Sequence, residues 1–291
     1  MFDKLARSWQ MTKQSWAVLR QEKQLMIFPL ISTILTLIVS ASFLAPPIVY
    51  LAVTKPAWLE DKANIPMEWK IASGAIMFLL YFVTYSIIAF CNAALIGSAL
   101  NSFDGKDASA KAGMRIAMSR LPQILGWSLI NATVGVAIQM LRERAGWIAD
   151  KVLGLVGIAW TIATFFVVPV LVVEGVGPIK ATKRSFEIMR KAWGETLVTQ
   201  AGVGLFFGLL TFLVVFIPAV LGVVWSISIQ SFWPIAIIGG IVLIVAIMLA
   251  LISSTLKMIL VAASYRYVST GETPYTFERD SLQGMFATKK K

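Results

Sequence analysis

Six long apolar stretches dominate the pattern of hydrophobic and polar positions along the chain. They cover about residues 25–53, 70–100, 122–140, 152–174, 197–226 and 234–263. The hydrocarbon core of a bilayer is about 30 Å thick, so a spanning helix needs roughly 20 apolar residues. Each stretch is close to that length or longer. We therefore predict an all-α integral membrane protein with six transmembrane helices.

Three polar segments lie between these stretches in a regular order. Segments 2–23, 106–121 and 178–194 each precede a pair of predicted spans. The first and third resemble each other, because "RSWQMTKQSW" at 7–16 and "RSFEIMRKAW" at 184–193 share Arg-Ser-aromatic and a later Trp. We predict three hairpins, each preceded by an amphipathic interfacial helix. The corresponding units of one transmembrane domain are about 1–103, 104–176 and 177–268, followed by a tail at 269–291.

The positions of the basic residues predict the orientation of the chain in the membrane. Among the 26 Lys and Arg residues, 19 lie in the N-terminal segment, 101–121, 175–196 and the segment from 264, whereas 6 lie in the alternate loops. Loops rich in Lys and Arg stay in the cytoplasm. We therefore predict that both termini are cytoplasmic. The net charge is +11. Because the basic residues lie between predicted spans, this charge fits binding to anionic lipid and not to nucleic acid.

The third polar segment separates into two faces on a helical wheel. Ile179, Thr182, Phe186, Met189 and Trp193 share one arc, with cations on the adjacent arc. A helix of this kind lies in the membrane interface. The predicted lipid-headgroup or cytoplasmic face consists of Arg7, Lys13, Arg115, Arg120, Lys180, Lys183, Arg184, Arg190 and Lys191, and the predicted interfacial anchors are Trp9, Trp16, Phe186 and Trp193. A protein partner at this face, or helices that only cap the hairpins, are the alternatives.

A few polar residues fall within the predicted spans, where ionisable groups are candidates for function. The candidates are Asn92, Asn131, Glu174 and Lys257. Lys257 lies near the predicted inner boundary, from which its side chain could reach the headgroups. A Glu174–Lys257 pair is a further hypothesis. If these residues line a site between the hairpins, the protein would be a transporter or channel for a small solute or lipid.

Residue types needed for common catalytic chemistry are scarce. The chain contains no His and a single Cys, Cys91, within an apolar stretch. Histidine is the commonest general base and metal ligand. We also find no nucleotide, zinc-protease or nucleophile-elbow motif. We therefore expect a non-enzymatic protein without a metal or cofactor. The leading hypothesis is a membrane-embedded scaffold or lipid-interacting accessory protein.

Three segments carry a resemblance to a known family. "RSWQMTKQSWAVLRQEKQLMIFPLI" at 7–31, "VVPVLVVEGVGPIKATKRSFEIMRKAWG" at 167–194 and "AASYRYVSTGETPYTFERDSLQGMF" at 262–286 resemble a six-span prokaryotic membrane family known only as a domain of unknown function. The second segment is also similar to membrane domains attached to some glycerophosphodiester phosphodiesterases. The resemblance implies a bacterial inner-membrane location and brings no catalytic residue.

Overall fold

The computed structural model describes residues 2–56, 65–144, 146–191 and 207–277, with side chains undescribed at 2–8, 144, 148 and 191. Within these ranges the chain is helical apart from turns, and it contains no strand. The helices are α1 Phe2–Gln21, a 3₁₀ turn Lys23–Met26, α2 Ile27–Thr54, α3 Met67–Phe103, α4 Ala110–Ser119, α5 Leu121–Arg144, α6 Trp147–Ala163, α7 Val167–Glu174, α8 Pro178–Lys191, a π-helical turn Phe212–Phe216, α9 Ile217–Ser228 and α10 Trp233–Thr270.

The six predicted apolar spans are confirmed as helical segments long and apolar enough to cross a membrane. They are Lys23–Thr54, Met67–Phe103, Leu121–Glu143, Ala149–Glu174, Phe207–Ser228 and Trp233–Thr270. The first part of the fifth predicted stretch, 197–206, lies outside the described residues. By length and composition the protein is therefore a multi-pass membrane protein. Helices also form in the three polar segments, as α1, α4 and α8. Their amphipathic, interfacial character stays a prediction.

The last helix continues beyond the predicted apolar stretch, which ended at 263. Helix α10 ends at Thr270, where Gly271 adopts φ +75° and donates its N–H to the Tyr267 carbonyl at 2.9 Å. A left-handed glycine commonly terminates a helix because it lacks a Cβ. The turn chemistry at Gly271, and not the loss of apolar side chains, therefore sets the end of α10.

The fourth span is interrupted near Pro169, a residue that predicts a kink within this apolar stretch. Helix α6 ends at Ala163 and α7 begins at Val167, with a three-residue turn between them. Pro169 follows in the first turn of α7. Proline removes an N–H and its ring clashes with the carbonyl four residues earlier, so the helix cannot continue regularly into this turn.

Contacts group the chain into two compact units. The first comprises Met1–Ile27, Ser98–Ala110 and Arg190–Lys291, and the second comprises Phe28–Gly97 and Lys111–Met189. These groupings come from spatial contacts, whereas the three units of the sequence were consecutive segments. The predicted division at about 1–103, 104–176 and 177–268, with its tail, stays a prediction.

In the first unit, α1 and α9 both pack against α10. The later part of α10 is mostly buried, and Ile259 and Tyr265 have 0% and 2% of their surface exposed. A Cβ at Gly222 of α9 would lie 3.0 Å from the Ile238 side chain, so this glycine permits close approach of the two helices. Apolar packing thus supplies most of the core of this unit.

In the second unit, small residues allow several helices to approach one another. The end of α3 is buried through Ala93, Ala94 and Gly97, and a Cβ at Gly97 would lie 2.9 Å from the Ile116 side chain of α4. Helix α5 contacts both α6 and α7. Interfaces of this type are typical of membrane helices, because small side chains allow close backbone contact.

Candidate functional site

Helix α8 begins immediately after a sharp turn at the end of α7. Gly175 terminates α7 with φ +64°, and Pro178 is the first residue of α8. Proline suits a first helical position because the N–H that it lacks would have no partner there. The Thr182 hydroxyl donates to the Pro178 carbonyl at 2.9 Å. The turn and this first residue together fix where α8 starts.

One face of α8 is buried within the second unit. Ala181 and Ser185 have no exposed surface, and Ile188 and Met189 are 3% and 2% exposed. These positions follow the three- and four-residue spacing of a helix face. The wheel placed Met189 beside Ile179 and Phe186, but the structure separates them, since Ile179 and Phe186 are 66% and 53% exposed.

Ser185 connects α8 to the broken fourth span. Its hydroxyl donates to the Ala163 carbonyl at 2.7 Å and accepts the Phe166 N–H at 3.0 Å. Ala163 is the last residue of α6, and Phe166 is the last residue of the turn before α7. An unsatisfied backbone group in apolar surroundings costs several kcal/mol. The single hydroxyl therefore satisfies the break and holds α8 in place.

The remaining surface of α8 is basic. Lys180, Lys183 and Arg190 are exposed. Arg184 is also partly exposed, but its guanidinium donates to Glu174 at 3.3 Å and to Glu187 at 3.4 Å. The hydrogen bond to Glu174 is the main reason that the pKa of Arg184 lies above its ordinary value. Two carboxylates thus compensate the charge of Arg184.

Arg120, which directly precedes α5, and Gln123, in the first turn of α5, contact the end of α7. Arg120 is half-buried and donates from Nε to the Val172 carbonyl at 3.2 Å, and Gln123 donates to the Gly175 carbonyl at 3.5 Å. A Cβ at Gly175 would overlap the Arg120 guanidinium. A cation at a helix C-terminus interacts favourably with the exposed carbonyls. Arg120 therefore has a structural partner, and its headgroup contact stays a prediction.

The predicted residues of the first two polar segments are mostly exposed. Trp9 and Trp16 of α1 are 43% and 36% exposed, and the Lys13 ammonium lies 5.4 Å from the Trp9 ring centroid. Arg115 on α4 is exposed. Trp193 lies outside the described residues, and so do the side chains of Arg7 and Lys191. Headgroup contact by these residues stays a prediction.

One of the polar candidates within the spans, Asn131, joins two helices of the second unit. In the second unit, the Asn131 side-chain oxygen accepts the Trp160 indole N–H at 3.2 Å, while Asn92 is half-buried on α3. The Trp127 and Trp160 rings stack with centroids 6.0 Å apart. Trp160 of α6 thus has a polar partner on α5. Bonds of this kind join membrane helices.

Glu174 and Lys257 belong to different units. Glu174 pairs with Arg184 in the second unit, and Lys257 is half-buried on α10 in the first. The Glu174–Lys257 pair and the transport site stay predictions. Among the described residues, no group of three or more His, Cys, Asp or Glu side chains is arranged to hold a metal ion.

Sequence reasoning overlooked the residues that fix α8. Ala181, Ser185 and Ile188 lie four and three positions apart, which is a helix-face spacing, but small residues carry little weight in a hydrophobic pattern. No sequence signal linked Ser185 to the two backbone groups that it satisfies, because they lie 19 and 22 residues away in the chain.

The comparison with protein families now gives these elements a wider context. Residues 71–275 match a family of unknown function, DUF6159. The chain belongs to this family. The DUF6159 match includes α4 to α10, and therefore Arg120, Gly175 and Ser185. No curated protein matches the chain. The similarity to membrane domains of glycerophosphodiester phosphodiesterases stays a prediction.

Proposed function

We propose that this protein is a non-enzymatic, lipid-interacting accessory or scaffold protein of a bacterial inner membrane, acting through a basic cytoplasmic face. The observation that carries the proposal is the three-sided arrangement of α8. Ser185 anchors one side, Ile179 and Phe186 are exposed on another, and the neighbouring surface carries exposed lysines. Because Ser185 holds the buried side of the helix, the exposed apolar side and the cationic side keep a fixed orientation.

This arrangement fits the boundary between headgroups and acyl chains. An interfacial helix buries its apolar face about 5–10 Å into that boundary and places its cations at the headgroups. Lys180 and Lys183 are exposed one residue after Ile179 and three residues before Phe186, respectively. Each cation near an anionic surface contributes about 1 kcal/mol. The two lysines would therefore favour anionic over neutral lipid by roughly 2 kcal/mol.

Spin labels on neighbouring positions test the membrane contact of α8. Four single variants of the full chain in bilayers are compared: Ile179→Cys with Lys180→Cys, and Phe186→Cys with Glu187→Cys. The wild type is the blank, because Cys91 is buried. We expect labels at 179 and 186 to collide with oxygen, and labels at 180 and 187 to collide with a water-soluble nickel complex. Equal aqueous exposure at all four positions would contradict interfacial placement.

Lipid retention tests the headgroup preference. The full chain is purified with its lipids, and native mass spectrometry measures the excess of anionic over neutral lipid. Lys180→Gln/Lys183→Gln should reduce this excess, whereas the matched control Lys70→Gln/Lys151→Gln removes two exposed cations from predicted outer loops and should preserve it. An equal loss in both variants would show that the preference does not arise at α8.

The proposed orientation places both termini in the cytoplasm and arranges the spans as three hairpins. Its support is the distribution of 19 Lys and Arg residues on one predicted side and 6 on the other. Cysteine variants at Lys106 and Lys151, treated in intact cells with an impermeant thiol reagent, separate the two sides. Labelling at 151 and protection at 106 is expected, and the reverse pattern would overturn the orientation.

A further inference from the structure

The first unit contains an open pocket that the predicted lipid face did not include. Its volume is about 530 Å³, and its lining comprises Trp16, Leu19, Arg20, Lys23, Met26, Met248 and Ile252. Ligand sites commonly have volumes of about 300–1,000 Å³ and mostly apolar walls with a few placed polar groups. Here five uncharged side chains form the walls, and Arg20 and Lys23 supply positive charge on one side.

Arg20 and Lys23, the cations of the pocket, lie at the corner between α1 and α2, and contacts with other segments hold this corner in place. Between α1 and α2, the buried Leu25 anchors the 3₁₀ turn. The Tyr275 hydroxyl donates to the Gln21 side-chain oxygen at 2.8 Å, and the Ala110 N–H donates to the Gln24 side-chain oxygen at 3.1 Å. Two glutamines thus hold the corner that carries Arg20 and Lys23. A site fixed before binding loses less entropy when it binds a ligand.

The two cations are available to an external anion. Arg20 and Lys23 are exposed, and the Arg20 guanidinium lies 5.5 Å from the Trp16 ring centroid. Within the described parts of the chain, no carboxylate lies within ion-pair distance of either cation. Arg184 differs, because Glu174 and Glu187 already neutralise it. Charge complementarity therefore favours an anionic occupant at Arg20 and Lys23.

An apolar path leads from this pocket along α10. Ile241, Ile244, Met248 and Ile252 lie three or four residues apart, so they follow one side of the helix. Ile241, Ile244 and Met248 are 58%, 64% and 49% exposed. A flexible Met suits an apolar surface that adapts to a mobile ligand. An occupant that fits these features has a long apolar part, which lies along α10, and an anionic group at one end.

We propose that this pocket binds one anionic phospholipid from the bilayer, with an acyl chain along Met248 and Ile252 and its phosphate at Arg20 and Lys23. The proposal rests on the lipid interaction inferred above, but it concerns a discrete site in the other unit. It predicts a first lipid that binds more tightly than the lipids around α8.

Native mass spectrometry of the full chain in detergent tests this site. The chain is titrated with phosphatidylglycerol, or with phosphatidylcholine bearing the same acyl chains, and the Kd of the first lipid is measured. Arg20→Gln/Lys23→Gln should weaken the first phosphatidylglycerol about 30-fold, since each cation contributes about a factor of five. Met248→Trp fills the pocket from an exposed position and should abolish tight binding of the first lipid.

Two controls separate this proposal from the proposed function. Leu243→Trp adds the same bulk to another exposed position of α10, and Lys180→Gln/Lys183→Gln removes the same charge from α8; neither should change the first Kd. If the first Kd depends on Lys180 and Lys183 but not on Arg20, Lys23 or Met248, the pocket proposal fails and the proposed function stands. If none of these variants changes lipid binding, both fail. Equal affinity for phosphatidylcholine would also overturn the anionic assignment.

Discussion

Helices α1 and α8 carry similar sequences but are held in place by different means. Their exposure matches over the paired positions whose side chains are described, 9–13 and 186–190. Trp9 and Phe186 are 43% and 53% exposed, and Met11 and Ile188, two residues later, are 0% and 3% exposed. Thr12 and Met189 follow and are also buried, and the next residues, Lys13 and Arg190, are both exposed. The shared pattern therefore gives both helices a buried side between an exposed aromatic residue and an exposed cation.

The attachments differ because the neighbouring elements differ. In the first unit, α1 packs against α10, Gln21 at the end of α1 binds Tyr275, and Gln24 in the following 3₁₀ turn binds the start of α4. In the second unit, Ser185 of α8 bonds to the interrupted backbone between α6 and α7. A repeated pattern can thus set which sides of a helix are exposed, while the groups that each helix binds lie outside the repeat. The internal repeat itself stays a prediction.

The largest expected effect comes from breaking the attachment of α8. Ser185→Val should lower the free energy of unfolding by about 2–5 kcal/mol, because it leaves the Ala163 carbonyl and the Phe166 N–H without their partner. Ser128→Val is the matched control: Ser128 is also fully buried, but its hydroxyl bonds to the Ile124 carbonyl of its own helix. Thermal unfolding in detergent measures both variants. Equal losses would contradict a special role for Ser185.

Two left-handed glycines sharpen the comparison between the units. Gly175 and Gly271 have φ +64° and +75°, so alanine at either position should cost about 1–2 kcal/mol. Gly175→Ala should cost about 1 kcal/mol more than Gly271→Ala, because its Cβ would displace Arg120, whereas a Cβ at Gly271 meets nothing within 4 Å. Chemical unfolding of the two variants compares these costs. A larger loss for Gly271→Ala would contradict the capping role of Arg120.

The bond between α5 and α6 tests whether polar contacts hold the second unit more widely. Asn131→Leu should destabilise the protein by about 0.6–2 kcal/mol, since it removes the acceptor of the Trp160 indole N–H. A double-mutant cycle with Trp160→Phe measures the coupling through unfolding free energies. Additive losses would show that the bond contributes nothing beyond the packing of each side chain.

The smallest expected effect is a pH dependence confined to the first unit. Partial burial acts to raise the pKa of Asp104, but hydrogen bonds and charges from Lys106 and Arg266 outweigh it, so the pKa lies below its ordinary value of 3.8. A depressed carboxyl pKa stabilises the fold above the ordinary value, and this contribution disappears as pH falls through the depressed pKa.

Asp104→Asn tests this sign. The variant should melt below the wild type at pH 6, and the difference should shrink as pH falls below 3.8. Lys106→Gln serves as a control, because it removes one partner of Asp104 and leaves the ion pair with Arg266. A difference in melting temperature that is constant with pH would contradict the proposed contribution of the ionised carboxylate.

Particular residues show how far the sequence led toward this structure. Trp9, Trp16 and Phe186 were predicted as anchors from their spacing, and all three are exposed. Ser185 and Gln24 were not identified, because each acts on a backbone group far away in the chain. Lys23 and Met248 were also overlooked, since a pocket between separated segments has no local spacing to reveal it.

The sequence by itself determined the six apolar spans, the helical polar segments and the distribution of positive charge. These properties follow from chain-local physics, because apolar length, helical periodicity and residue type can be read without knowing any contact. Only the tertiary structure decided which side chain satisfies the break in the fourth span. It also decided that Arg184 is neutralised while Arg20 and Lys23 are not, because burial and pairing depend on residues that folding brings together.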